Sequence, residues 1–139
     1  MTIPVLVLLA EDDPQIVTVM EAALGDAGYE VIVARDGNAA LREIEADAAR
    51  FRAVATDIKL GPGPDGWEIA QRVRALVPTM PLVYMTGDTA QEWASKGVPG
   101  SIILTKPFAP AQLVTAIASL CTQADMQASV AGSTPTAPD

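Results

Sequence analysis

An α/β fold is predicted, in which five β-strands alternate with five helices and gather into one doubly wound parallel sheet. Apolar blocks rich in β-branched residues recur along the chain, and between them lie stretches whose apolar residues return every three or four positions. The first block, Val5 to Leu9, is apolar at every position, as expected of a parallel strand covered on both faces. Five strand-helix units in succession, each with the right-handed crossover, lay the strands parallel and place helices on both sides of the sheet.

The strands are predicted at Val5 to Ala10, Glu30 to Ala34, Ala53 to Asp57, Leu82 to Thr86 and Ser101 to Thr105. The first helix carries Ile16, Val19, Met20, Ala23 and Leu24 on its apolar stripe. Asp13-Pro14 supplies an N-cap followed by proline at the first helical position, and Gly28 supplies the stop. The second helix is marked by Ala40, Leu41, Ile44 and Ala48, the third by Ile69, Ala70, Val73 and Leu76. A fourth, Ala90 to Lys96, is short and ends at Gly97-Val98-Pro99-Gly100. A fifth, Pro110 to Cys121, puts Leu113, Ile117 and Leu120 on one face. Beyond Thr122 the periodicity gives way to Ala, Ser, Thr, Pro, Gln and Gly, so a domain over residues 1–122 and a solvated, disordered tail over 123–139 are expected.

At 139 residues, half of them hydrophobic, the chain is long enough to bury one core. Its 17 acidic against 9 basic residues give a net charge of −8, which repels nucleic acid and anionic lipid, so neither is expected as a partner of this chain alone. No histidine is present. That removes histidine general bases, Ser-His and Cys-His nucleophile pairs, histidine metal ligands and a phosphohistidine of the chain's own. Cys121 is the single cysteine, so no internal disulfide or zinc-type spacing exists. The apolar run before Glu11 is too short to span a membrane and lacks the basic flank of a signal peptide, and a cytoplasmic setting is expected.

Ligands of an open parallel sheet bind beyond the carboxyl ends of its strands, where the strand order reverses. The first strand ends in Glu11-Asp12-Asp13, the third in Asp57, the fourth in Thr86-Gly87 and the fifth in Lys106-Pro107. Carboxylates crowded on one rim repel one another unless a cation sits among them, and all-oxygen ligands suit a hard ion such as Mg²⁺. An aspartate beside such an ion can act as a nucleophile toward phosphorus, with a lysine and a hydroxyl to hold the oxygens of the arriving group. Each residue has a plainer reading. Asp12 or Asp13 could only cap the first helix, Thr86 be an ordinary strand residue and Lys106 a solvated charge. Their coincidence at four strand ends favours a site.

These residues resemble the receiver domains of two-component response regulators, of the chemotaxis-regulator type. The resemblance lies in Val5 to Pro14, Thr56-Asp57-Ile58-Lys59-Leu60, Asp65-Gly66, Met85-Thr86-Gly87 and Thr105-Lys106-Pro107-Phe108, in family order over about residues 3 to 122. It implies the flavodoxin-like strand order 2-1-3-4-5. It also implies that Asp57 is phosphorylated, that Asp12, Asp57 and the Lys59 backbone carbonyl coordinate Mg²⁺ with Glu11 acting through water, and that Thr86 and Lys106 contact the phosphoryl group. Lys106-Pro107 is then the family's cis peptide. A sensor histidine kinase or histidine phosphotransfer protein is the implied donor, with a further protein downstream.

Three departures stand out. Leu60-Gly61-Pro62-Gly63-Pro64 is longer and stiffer than the family's usual loop after the acceptor, Ile103 replaces an aromatic residue common three positions before the lysine, and the segment from Thr86 to Lys106 is short, which reduces the fourth helix. A phosphorylation-independent interaction module on the same fold is therefore the alternative function. A phosphatase with an aspartate nucleophile would need a second acid two residues on, where Lys59 stands, and a flavin-phosphate loop would be repelled by Glu11-Asp12-Asp13. Thr86 and Lys106, placed at a wet rim, are expected to contribute little to folding.

Overall fold

The computed structural model describes residues 4–87 and 90–132. Its elements are β1 (Leu6–Ala10), α1 (Pro14–Asp26), β2 (Glu30–Ala34), α2 (Gly37–Asp47), β3 (Phe51–Asp57), α3 (Gly66–Leu76), β4 (Leu82–Thr86), α4 (Trp93–Lys96), β5 (Ile102–Thr105) and α5 (Pro110–Gly132). Every strand pairing is parallel and the sheet order is β2-β1-β3-β4-β5. The predicted architecture is thus observed, with β3 starting two residues early because Phe51 is itself buried.

The period-two alternation of the strands divides the core into two layers. Val7 and Leu9 of β1, Ala53 and Ala55 of β3, and Val83 and Met85 of β4 meet Met20 and Leu24 of α1 and Leu113 and Ile117 of α5. On the other face Leu8, Val54, Leu82 and Tyr84 meet Ile44 of α2 and Trp67, Ile69 and Val73 of α3. Burial on both faces is why β1 carries no polar residue until Glu11.

Helix boundaries follow local chemistry. The Asp13 carboxylate accepts from the backbone N–H groups of Gln15 and Ile16, Pro14 takes the first helical position, and Gly28 leaves α1 with φ of 99°. At α3 the Asp65 and Glu68 side chains each accept from the other's backbone N–H, a reciprocal capping box. The fourth helix is a single turn led in by a 3₁₀ turn at Ala90–Glu92, as its short segment predicts.

The tail expectation needs correction. Residues 123–132 are not a disordered tail but continue α5 as far as Gly132. The stretch from Gln123 to Ala131 holds no proline or glycine and is rich in Ala and Gln, both good helix formers, so propensity extends a helix already anchored by Leu113, Ile117 and Leu120. An ion pair between Arg52 and Asp125 ties the extension back to β3. The remainder of the expected tail, residues 133–139, lies outside the described residues. No helix among the described residues is long and apolar enough to cross a membrane.

Candidate functional site

In this strand order the chain runs outward from β1 to β2 and then returns to β3 on the other side of β1, so the crevice between β1 and β3 is the point of reversal. Glu11 leaves β1 directly into it. Its backbone N–H donates to the Ala34 carbonyl at 3.0 Å and its side chain is wholly buried. Asp57 closes β3 at 9% exposure, its Oδ1 accepting from the Ile58 N–H at 2.9 Å. Across the crevice the Lys106 Nζ donates to Glu11 Oε1 at 2.8 Å and to Asp57 Oδ2 at 3.0 Å. The Lys106 N–H donates to the Thr86 carbonyl at 2.7 Å, which fixes the loop after β5 to the end of β4. The Lys106-Pro107 peptide is cis, as the resemblance implies.

Burial and charge pull these groups in opposite directions. Desolvation dominates at Glu11 and lifts its carboxyl to about 7, while hydrogen bonds from Lys106 and from the Asp13 N–H act the other way and the Asp57 charge adds to the rise. Burial also disfavours the Lys106 ammonium, yet its bonds to Glu11 and Asp57 outweigh that and raise its affinity for the proton.

Carboxylate oxygens of Glu11, Asp12 and Asp57 all lie within 4.8 Å of one another. This donor set is all oxygen, its negative charge only partly offset by Lys106, and Asp12 opens it to solvent. Such a set fits a hard divalent cation like Mg²⁺. Asp13, the other carboxylate of the sequence cluster, is committed to capping α1, so the plainer reading holds for it. Thr86 is 2% exposed at the end of β4, and Lys59 is an exposed residue two places beyond Asp57.

The chain matches the response regulator receiver domain model over residues 7–118. It belongs to that family. A receiver protein from Sinorhizobium medicae superimposes with a TM-score of 0.83 at 43% identity, covering 87% of this chain and 97% of its own. The receiver domain of a sensor histidine kinase from Pseudomonas aeruginosa, with a magnesium ion coordinated in its active-site cleft, gives 0.73 at 29% identity, covering 86% of this chain and 99% of that one. Among curated proteins, the transcriptional regulatory protein TcrA of Mycobacterium tuberculosis is 32% identical over 73% of this chain and 40% of its own length. The alkaline phosphatase synthesis transcriptional regulatory protein PhoP of Bacillus subtilis is 26% identical over 88% and 50%. This receiver therefore spans half or less of the length of these two curated relatives. Its pocket of Glu11, Asp12 and Asp57 fits Mg²⁺ and aspartyl phosphorylation, as the family requires.

Two parts of the receiver's site are given no role by the sequence. The backbone N–H groups of Asp13 and Ile58 hold the Glu11 and Asp57 carboxylates, and a main-chain donor has no side-chain signature. Gly66 is the other. A Cβ there would fall 2.2 Å from the Asp57 carbonyl oxygen, so only glycine lets α3 start against the end of β3.

Proposed function

We infer that this receiver accepts a phosphoryl group on Asp57 from a partner histidine kinase or histidine phosphotransfer protein and acts in the cytoplasm as a signalling switch or phosphorelay intermediate. The observation that carries the reading is the Asp57 carboxylate, seated in the crevice with Lys106 Nζ 3.0 Å from its Oδ2 and the Glu11 and Asp12 carboxylates alongside. An Asp57 carboxylate oxygen forms the bond to phosphorus as the phosphorus–nitrogen bond to the donor imidazole breaks, and the imidazole nitrogen keeps the electron pair. Asp12, Asp57 and the Lys59 carbonyl are the residues that would hold Mg²⁺, with Glu11 reaching it through water. When bound, the ion offsets charge on the oxygens of the transferring group.

Lys106 is held ready by Glu11 and Asp57, and moves its ammonium onto the phosphoryl oxygens once Asp57 is esterified. The Thr86 hydroxyl satisfies another of those oxygens. With no histidine, the chain cannot draw the group from ATP through a phosphohistidine of its own, and it returns the group slowly to water without turning over a separate substrate. Magnesium in the cleft of the Pseudomonas aeruginosa receiver supports the metal assignment.

Incubation with acetyl phosphate and Mg²⁺ should add the mass of one phosphoryl group to the parent chain and none to Asp57→Asn. Full labelling of Asp57→Asn removes the acceptor assignment. A second reading, an interaction module independent of phosphorylation, is favoured by Ile103, which occupies the aromatic position and packs beside the core without a ring. A parent chain that stays unlabelled while binding its partner would establish that reading.

A further inference from the structure

The loop from Lys59 to Asp65, rich in glycine and proline, is tied down at both ends and in the middle. At its base the Gly66 N–H donates to the Ile58 carbonyl at 2.7 Å. Leu60, only 1% exposed, anchors its first half in the core. Beyond Leu60 the chain swings across to the first turn of α2, where the Asn38 N–H donates to the Pro62 carbonyl at 3.2 Å. That contact is close on both sides. A Cβ on Gly37 would fall 1.9 Å from the Pro64 carbonyl oxygen, and a Cβ on Gly63, which has φ of +95°, would fall 2.5 Å from the Asn38 amide nitrogen.

We propose that Gly37 and Gly63 are positioning residues for the cation site, latching the 59–65 loop onto α2 so that the main chain at Lys59 is already in place when Mg²⁺ arrives. The inference rests on the metal reading given above, in which the Lys59 carbonyl is one of the ligands. Pro62 and Pro64 limit the conformations open to the loop, and the latch selects among those that remain. A ligand ordered beforehand saves the cation the entropy of ordering it. Without the latch, the loop that begins at Lys59 is held at Leu60 and at the Gly66 N–H, and its remaining freedom would have to be removed at each binding event. Neither glycine has a side chain to offer the cation, and a Cβ on either would meet Pro64 or Asn38 first, so their effect reaches the cation through the loop.

The test compares Mg²⁺ affinity, by calorimetry, in the parent chain, Gly37→Ala, Gly63→Ala and Gly25→Ala. Gly25 lies in α1 with nothing within 4 Å of a Cβ, so its variant controls for a helical Gly→Ala change, while Gly63 is exposed and its variant keeps the core intact. Gly37→Ala and Gly63→Ala should each weaken Mg²⁺ binding by about tenfold, the scale seen when support of a metal ligand is lost. Gly25→Ala should match the parent. Amide hydrogen exchange of metal-free protein gives an independent reading: Asn38 should be protected in the parent and lose that protection in both loop variants. Unchanged Mg²⁺ affinity in both variants overturns the latch, as does an unprotected Asn38 amide in the parent. A parent chain that binds no Mg²⁺ removes the metal reading itself, an outcome distinct from either.

Discussion

Helices α1 and α4 both begin just beyond a strand that ends at the site, and they are built in opposite ways. The 13 residues of α1 are capped by Asp13, started by Pro14 and stopped by Gly28, and bury Val17, Met20 and Leu24. In α4 there are four residues, none buried, with no side-chain cap. What holds α4 is limited: the partly buried Trp93 packs beside the core and its Nε1–H donates to Ser101 Oγ at 2.9 Å, and Glu92 pairs with Lys96 at 2.6 Å on the surface. A helix of one turn has little stability of its own and depends on such contacts. The side of the crevice that presents Glu11 and Asp12 is therefore stiff, while the single turn of α4 can rearrange at small cost.

The largest effect should come from the stiff side. Leu24 is fully buried between α1 and the sheet, so Leu24→Ala should lower stability by about 3 kcal/mol. Chemical denaturation read by circular dichroism and by tryptophan fluorescence should shift together, since α1 belongs to the global unfolding unit. A fluorescence transition that stays in place while the helical signal shifts would break the comparison.

Next comes the joint between the two sides. Lys106 is not the solvated charge of the plainer reading, nor is Thr86 wet: Thr86 is 2% exposed, and the lysine bridges the fully buried Glu11 and the largely buried Asp57. The small contribution to folding expected of both is therefore replaced, for Lys106, by a larger one that denaturation can check. Lys106→Met leaves a buried carboxylate without its cation and should lower stability by about 2 kcal/mol, less than a fully buried pair because the lysine is partly exposed. A denaturation midpoint equal to the parent's would show that Lys106 does not stabilise the buried Glu11, whose carboxyl can instead hold its own proton.

This correction marks the boundary of what was legible. Strand positions were readable because β1 is apolar throughout and β4, apart from the Tyr84 hydroxyl, is apolar as far as Thr86, and α1 because Asp13-Pro14 and Gly28 punctuate it. The site residues were readable because each stands at a strand end, a position topology makes functional. Burial of Glu11 was not, since it depends on which loop closes over it. Nor was the run of α5 past Thr122, where polar helix formers look the same in a tail as in a helix. The contact of Gly37 with Pro64 joins residues far apart in sequence through backbone atoms, and no side-chain pattern records it.

A smaller change sharpens the account of α4. The Tyr84 hydroxyl, fully buried, accepts the Val98 N–H at 3.0 Å just after α4, while its ring sits 4.7 Å from that of Trp67. Tyr84→Phe keeps the ring contact and leaves the Val98 N–H unsatisfied, which should lower stability by about 1.5 kcal/mol. Amide exchange should accelerate at Val98 and around Ser101 but not in α1. Equal acceleration in both helices would mean that α4 is not a separate, looser unit.

The smallest effect separates two neighbouring carboxylates with different work. Asp13 spends its side chain on the N–H groups of Gln15, at 2.9 Å, and Ile16, at 3.4 Å, whereas the exposed Asp12 lies in the carboxylate cluster. Asp13→Ala should thus lower stability by about 1 kcal/mol, the usual effect of a lost N-cap, and leave Mg²⁺ binding unchanged, because the Asp13 N–H that donates to Glu11 survives the substitution. Asp12→Ala should do the reverse, abolishing Mg²⁺ binding with no loss of stability in metal-free protein, since removing one of three crowded carboxylates relieves repulsion. Thermal denaturation with and without Mg²⁺ reads both at once: the ion should raise the midpoint of Asp13→Ala as it does the parent's, and should not move that of Asp12→Ala. A midpoint that rises with Mg²⁺ in Asp12→Ala would mean that the cation is held by Asp57 and Glu11 without Asp12.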